Sequence, residues 1–164
     1  MRSKNYIIMF ISLMIIWLLL NSSFNPVVIL SGVVVSAVIA MFFCKSCDVF
    51  TAIRLTPKAF LYSLIFIVVF FKELLKSNLD VARRVLTPSL PINPGIVEVK
   101  TKLKSKIGRI FLTNSITLTP GTFTIEILDD SIFIHWIDVK SENIEEDTNI
   151  LVHKFEKYLE VMYG

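Results

Sequence analysis

Residues 6–20 and 27–43 carry no charged side chain, and only Asn21-Ser22-Ser23-Phe24-Asn25-Pro26 separates the two apolar runs. A 164-residue chain cannot bury two such segments back to back in a water-soluble core, so the bilayer is the solvent they call for. Each backbone must then satisfy its own polar groups, which makes both runs helices. The uncharged connection reads as a turn, with Asn25 placed to cap a second helix whose first turn holds Pro26. Spans of 15 and 17 residues sit at or below the ~17 needed to cross about 30 Å of hydrocarbon. The hairpin therefore either crosses a locally thinned bilayer or dips in without fully crossing. Arg2 and Lys4 before the first run resemble a signal peptide, but no small-x-small cleavage site follows. Gly32, Ser36 and Ala40 recur every fourth residue of the second run, a small-residue stripe that lets another backbone approach closely. Its partner is either the first helix or a foreign protein chain.

A third apolar run, Ala59–Phe71, covers only about 20 Å as helix and cannot cross alone. It continues into a stretch where Lys72, Lys76, Asp80, Arg83 and Arg84 share one helical face and Phe71, Leu74, Leu75, Ala82 and Val85 another. Thr87-Pro88 should end this amphipathic helix. Charge sets orientation. Residues 1–71 hold five Lys/Arg against one Asp, residues 72–109 nine against three acids, and residues 110–164 three against ten. The first loop has none, so both termini and the basic collar belong on the cytoplasmic side, with the third helix lying mainly at the interface. A tilted third span shielded by partners is the alternative. Cys44 and Cys47 form a lone C-x-x-C at the membrane edge; His135 and His153 are too distant in sequence to complete a zinc site.

Pro91, Pro94 and Gly95 punctuate a linker, and the chain beyond reads as a soluble α+β domain of β-α-β-β-α order. Ile96–Leu103 alternates as a strand, with Glu98, Lys100, Lys102 and Lys104 on one face: a solvated outer face, or a basic row toward anionic lipid or an acidic partner. Residues 106–116 suggest a helix. Thr119-Pro120-Gly121 turns the chain into strands Thr122–Leu128 and Ile132–Val139, joined at Asp129-Asp130. Ser141 should cap a final helix with Glu142, Glu145 and Glu146 in its first turn. Its apolar face would be Ile144, Ile150 or Leu151, Phe155, Leu159 and Met162. The expected organisation is thus 1–58 hairpin and connection, 59–88 apolar-to-amphipathic helix, and 89–164 cytoplasmic domain.

Catalytic signatures are missing: the sequence has no phosphate loop, H-E-x-x-H, G-x-S-x-G or G-x-G-x-x-G. His135 and Asp138 are the best improvised pair, but three residues apart on a strand they point to opposite faces. No enzymatic activity, cofactor or metal is expected. Ion relays need ionisable groups within the membrane, and the first two helices have none. The basic collar beside the membrane is explained by anionic headgroups rather than by nucleic acid.

Four ordered stretches are more specific: Asn78-Leu79-Asp80-Val81-Ala82-Arg83-Arg84-Val85-Leu86, Pro94-Gly95-Ile96-Val97, Asn114-Ser115-Ile116-Thr117-Leu118-Thr119-Pro120-Gly121-Thr122, and His135-Trp136-Ile137-Asp138-Val139. With the hydropathy layout, they make the chain resemble the small E-type component of the multisubunit Mrp- or Mnh-type cation/proton antiporters of bacteria. The resemblance implies an accessory member of a complex that exchanges cytoplasmic Na⁺, K⁺ or Li⁺ for external H⁺, in the cytoplasmic membrane, with the other subunits as partners. In that family the large complex-I-like subunits carry the proton-translocating residues. The matching residues Asn78, Asp80, Arg83, Arg84, Pro94, Gly95, Asn114, Thr119, Pro120, Gly121, Thr122, His135 and Asp138 are therefore expected to act in folding and assembly. A stand-alone membrane-anchored adaptor, lipid-binding protein or enzyme is the competing class.

Overall fold

The structure, a computed structural model, describes residues 2–43, 54, 56–141 and 143–164. Cys44, Cys47 and Glu142 lie outside the described residues. The chain divides into two compact units, Met1–Ile53 and Arg54–Gly164.

In the first unit, helices α1 (Arg2–Asn21) and α2 (Pro26–Phe43) are joined by four residues. Asn25 caps α2, its Oδ1 accepting the Val27 N–H at 3.0 Å. The Trp17 indole N–H donates to the Val28 carbonyl at 3.0 Å, pinning the end of α1 against the start of α2. Gly32, Ser36 and Ala40 are the buried residues of α2. A Cβ on Gly32 would stand 2.5 Å from Trp17 Cδ1 and 3.1 Å from Met14 Sδ, so at Gly32 the stripe meets α1. Large side chains such as Ile15, Leu19, Val34 and Phe42 point outward. Among the described residues, α2 is the one helix long and apolar enough to cross a membrane; the apolar part of α1, Asn5–Asn21, is shorter.

The second unit opens with α3 (Pro57–Leu86). Thr56 Oγ1 accepts the Ala59 N–H at 3.1 Å, Pro57 fills the first turn, and Thr87 ends the helix before Pro88. There follow β1 (Gly95–Lys100), α4 (Lys106–Leu118), β2 (Thr122–Leu128), β3 (Ser131–Trp136), α5 (Ile144–Leu151) and α6 (His153–Tyr163). The sheet is antiparallel in the order β1-β3-β2. Val99, Leu103, Leu112, Ile132, Ile134, Val152, Phe155 and Leu159 form its core, each fully buried.

Several expectations shift. The first strand stops at Lys100, and β3 stops at Trp136 instead of Val139. Beyond Trp136 the backbone turns to other partners: the Ile137 N–H reaches the Gly121 carbonyl and the Val139 N–H that of Asn93. The helix over 106–116 extends to Leu118, where Thr119 closes it. The single C-terminal helix is two, broken at Val152, and its cap is Asn143; Ser141 instead accepts the Asn143 N–H and donates to Asp147. Ile144, expected on the apolar face, is exposed. The regular strand ends at Lys100, whose ammonium is tied to Glu98 at 2.7 Å and to Ser131, while Lys102 and Lys104 beyond it stay exposed between buried Thr101 and Leu103.

The long helix α3 divides its surface between the domain and the outside. Tyr62, Phe66 and Phe70 face the domain: Phe66 and Phe70 lie 6.2 and 6.4 Å from the Phe155 ring, and Tyr62 6.3 Å from that of Tyr158. Farther along, Glu73, Leu74, Ser77, Val81 and Arg84 are the partly covered positions, while Phe71, Leu75, Leu79 and Val85 are exposed. The expected apolar face is therefore mostly outward, with Leu74 partly covered, and the domain pairs with α3 through polar side chains, Glu73 with Lys154 and Arg84 with Asp138.

Candidate functional site

Arg84 is the hub of the motif residues. Its Nε donates to Asp80 Oδ2 at 2.7 Å one turn earlier, Nη2 to Asp138 Oδ2 at 2.8 Å, and Nη1 to the Pro91 carbonyl at 2.5 Å. One guanidinium thus fastens the end of α3 to the linker and to the segment after β3. Its planar fork suits it to serve several acceptors at once. The hydrogen bond from Arg84 holds the Asp80 carboxyl below its ordinary range, and the same bond raises the guanidinium's own pKa.

Beside this hub lies a groove of about 430 Å³ between α3, the 119–122 turn, the end of β3 and the last two helices. Gly121 forms part of its wall at φ +91°, a conformation that favours glycine, and a Cβ there would stand 2.8 Å from Ile137 Cγ2. Thr122 locks the turn by donating to the Ile116 carbonyl at 2.6 Å, and Thr119 donates to Ser115 at 2.7 Å. The rim is charged: Lys154 meets Glu73 at 3.4 Å, and Lys76, Arg83 and Lys140 also line the groove. Burial lowers the pKa of Lys154; Glu73 opposes that shift, while the nearby Lys76 adds to it.

The structure brings Asp80, Arg83, Arg84, Thr119, Pro120, Gly121, Thr122 and Asp138 to this one groove. Asn78 stands apart on exposed α3 surface, its amide bonded to the Leu74 carbonyl. Asn114 is exposed on α4, and Pro94 leads into β1, where Gly95 lies against Val139. His135 is exposed on the uncovered sheet face between Ile96 and Phe123, away from Asp138. Gly32, Ser36 and Ala40 belong to the first unit.

Sequence reasoning missed Glu156. This buried α6 carboxylate accepts the Thr101 hydroxyl at 2.6 Å and the Lys102 N–H at 2.7 Å on one oxygen, stapling α6 to the chain leaving β1. Its only signal was a carboxylate on the apolar side of a helix. Among the described residues no group of His, Cys, Asp and Glu could hold a metal ion.

A family model described as a Na+/H+ ion antiporter subunit matches residues 10–162, across both units. The chain belongs to that family. A fellow member, the E1-type component of the Na(+)/H(+) antiporter of Staphylococcus haemolyticus, is 36% identical over 150 residues, 86% of either chain. The corresponding E-type component from Alkalihalophilus pseudofirmus is 48% identical over 75 residues, 44% of this chain and about half (48%) of that protein. Among solved structures, a chain of the membrane-bound sulfane sulfur reductase, an archaeal respiratory membrane complex, has the antiporter-subunit fold seen here. It superposes with a TM-score of 0.83 at 45% identity, covering 95% of this chain and 97% of that one.

Proposed function

We propose that this antiporter-family protein is a non-catalytic, multi-pass member of a multisubunit membrane complex, and that it supports assembly of a module exchanging Na⁺, K⁺ or Li⁺ for H⁺. The observation that carries this reading is the family match over 10–162, which spans both the apolar helix pair and the charged domain. The use of the motif residues agrees with it: Arg84, Asp80 and Asp138 are occupied in holding the domain to its own helix. Residues 5–43 offer no ionisable side chain besides Tyr6 for a proton path, so ion translocation belongs to other subunits.

The same reading has α1 and α2 inserted as a hairpin and α3 at the cytoplasmic interface. A helix that packs Tyr62, Phe66 and Phe70 against α6, between the flanking charges of Lys154 and Lys157, is poorly suited to cross hydrocarbon along that length. The basic residues of α3 then sit at headgroup level. A second setting has a specific observation in its favour. The 45% identity to a chain of an archaeal respiratory complex exceeds the 36% to the staphylococcal protein over comparable length, so the antiporter module could serve a respiratory assembly.

Everted vesicles from cells lacking this chain should lose cation/proton exchange together with assembled complex, and the wild-type gene should restore both. His135→Gln, on the exposed sheet face, should leave exchange per assembled complex unchanged. Loss of exchange in His135→Gln with assembly intact would put the domain into proton handling and overturn the accessory role.

A further inference from the structure

Two observations about the α3 groove are not used by the accessory role. The first is its charge. Five cationic side chains (Lys76, Arg83, Arg84, Lys140 and Lys154) line it against three acidic ones (Glu73, Asp80 and Asp138). Arg84 engages both aspartates, and Glu73 engages Lys154. Lys76, Arg83 and Lys140 are left without an ion pair among the described residues. Asp80 feels both Lys140 and Arg83, and Lys154 is crowded by Lys76, so these cations converge on one region. Like charges held together at a partly desolvated rim are stabilised by a bound anion, and their own fold supplies too few acids to neutralise them.

The second is the groove's apolar side. Leu79, Ile137, Ile150 and Leu151 line it beside the cations. Leu79 is 72% exposed, and the outward face of α3 continues from it through Leu75 and Phe71 to Val68 and Leu64, all exposed and apolar. A cationic rim at the end of an apolar helix face matches an amphiphile: phosphate on the lysines, acyl chains along the helix. Its volume falls within the ~300–1,000 Å³ of small-molecule sites.

We propose that this groove binds the phosphate of an anionic membrane lipid through Lys76, Arg83, Lys140 and Lys154. The proposal rests on the interfacial placement of α3 given above, and it adds a discrete site where that placement requires only a diffuse basic surface. Binding of the anion draws α3 and the start of α6 together across the rim, through Lys76 and Lys154. The lipid then becomes a structural ligand of the domain.

Titration calorimetry of the full chain in neutral detergent tests it, with dihexanoyl phosphatidylglycerol, dihexanoyl phosphatidylcholine and inorganic phosphate as separate titrants. The phosphatidylglycerol should saturate one site, with the other two weaker by about tenfold or more. The double variant Lys76→Gln/Lys140→Gln should lose about tenfold in affinity, the single Lys140→Gln a smaller factor, and Lys104→Gln nothing; circular dichroism reports that each has folded. Equal binding of the two lipids would show that headgroup charge is not read, and overturn the proposal. Inorganic phosphate matching the anionic lipid would assign a soluble anion and overturn it also, as would wild-type affinity in the double variant. Because the titration needs neither the complex nor antiport, its failure leaves the accessory role standing. Failure of assembly would likewise leave its result intact.

Discussion

The two units bury opposite kinds of residue. In α2 the covered positions are Gly32, Ser36 and Ala40, and the valines, leucines and phenylalanines face out. In the second unit Val99, Leu103, Leu112, Ile134 and Phe155 are inside, and most of the charge is at the surface. On the proposed placement of the helix pair in the bilayer, the difference follows from what each unit surrounds itself with. Lipid tails are as apolar as leucine, so the helix pair gains nothing by hiding its large side chains and gains contact by placing small ones between its backbones. In water the large apolar side chains are what drives the fold, each worth about 1.5–3 kcal/mol when fully buried. One chain thus carries two folding rules, and the substitutions below distinguish them.

The largest effect is expected at Gly121→Val, which attacks the water-side rule through the backbone. A β-branched residue at φ +91° is strained by roughly 1–3 kcal/mol, and its Cβ would press on Ile137 Cγ2 at 2.8 Å, adding an overpacking cost of about 1–3 kcal/mol. Chemical unfolding of the full chain in detergent should show a loss of about 3 kcal/mol or more, borne by the sheet domain. A near-neutral result would mean that the turn relaxes freely, and that the groove wall is softer than the geometry implies.

Gly32→Leu attacks the lipid-side rule. Its side chain has no room beside Trp17 and Met14, and overpacking of about 1–3 kcal/mol should separate α1 from α2. Engineered cysteines on facing positions of the two helices should then cross-link poorly, while the sheet domain keeps its unfolding midpoint. Wild-type cross-linking in this variant would place the stripe against something other than α1.

The smallest effect is expected at Ser36→Ala. The Ser36 hydroxyl is buried and has no hydrogen-bond partner among the described residues, so removing it leaves nothing unsatisfied. Stability should move by less than about 0.5 kcal/mol. A loss well beyond that would reveal a partner for the hydroxyl, and the stripe would be polar glue in addition to close packing.

Local rules were legible in the sequence. Asn25 and Thr122–Leu128 stand where capping and alternation place them, and the Thr119-Pro120-Gly121 turn has its glycine in the left-handed region. What escaped is what depends on distance along the chain. Arg84 and Asp138 are 54 residues apart, and nothing in either segment names the other. Periodicity shows that α3 has two faces, and only tertiary pairing decides which of them the domain takes. Glu156 was unreadable for a similar reason: a buried carboxylate is intelligible only once Thr101 and Lys102 are seen to supply its donors. Of the groove, the motifs supplied Asp80, Arg83, Arg84, the 119–122 turn and Asp138, and the fold brought Lys76, Lys140 and Lys154 to them.

Phe66 on α3 meets its partner Phe155 on α6 only after 89 further residues have been synthesised. At about 5–20 residues per second, α3 spends on the order of 5–20 s with its aromatic side uncovered by its own chain. For that interval residues 59–71 are apolar on both sides, and on the proposed interfacial placement of α3 the bilayer is the surface that can receive them. The ribosome thus delivers α3 first and its α6 cover last. A lesion that delays or removes α6 should leave the Tyr62, Phe66 and Phe70 side of α3 uncovered.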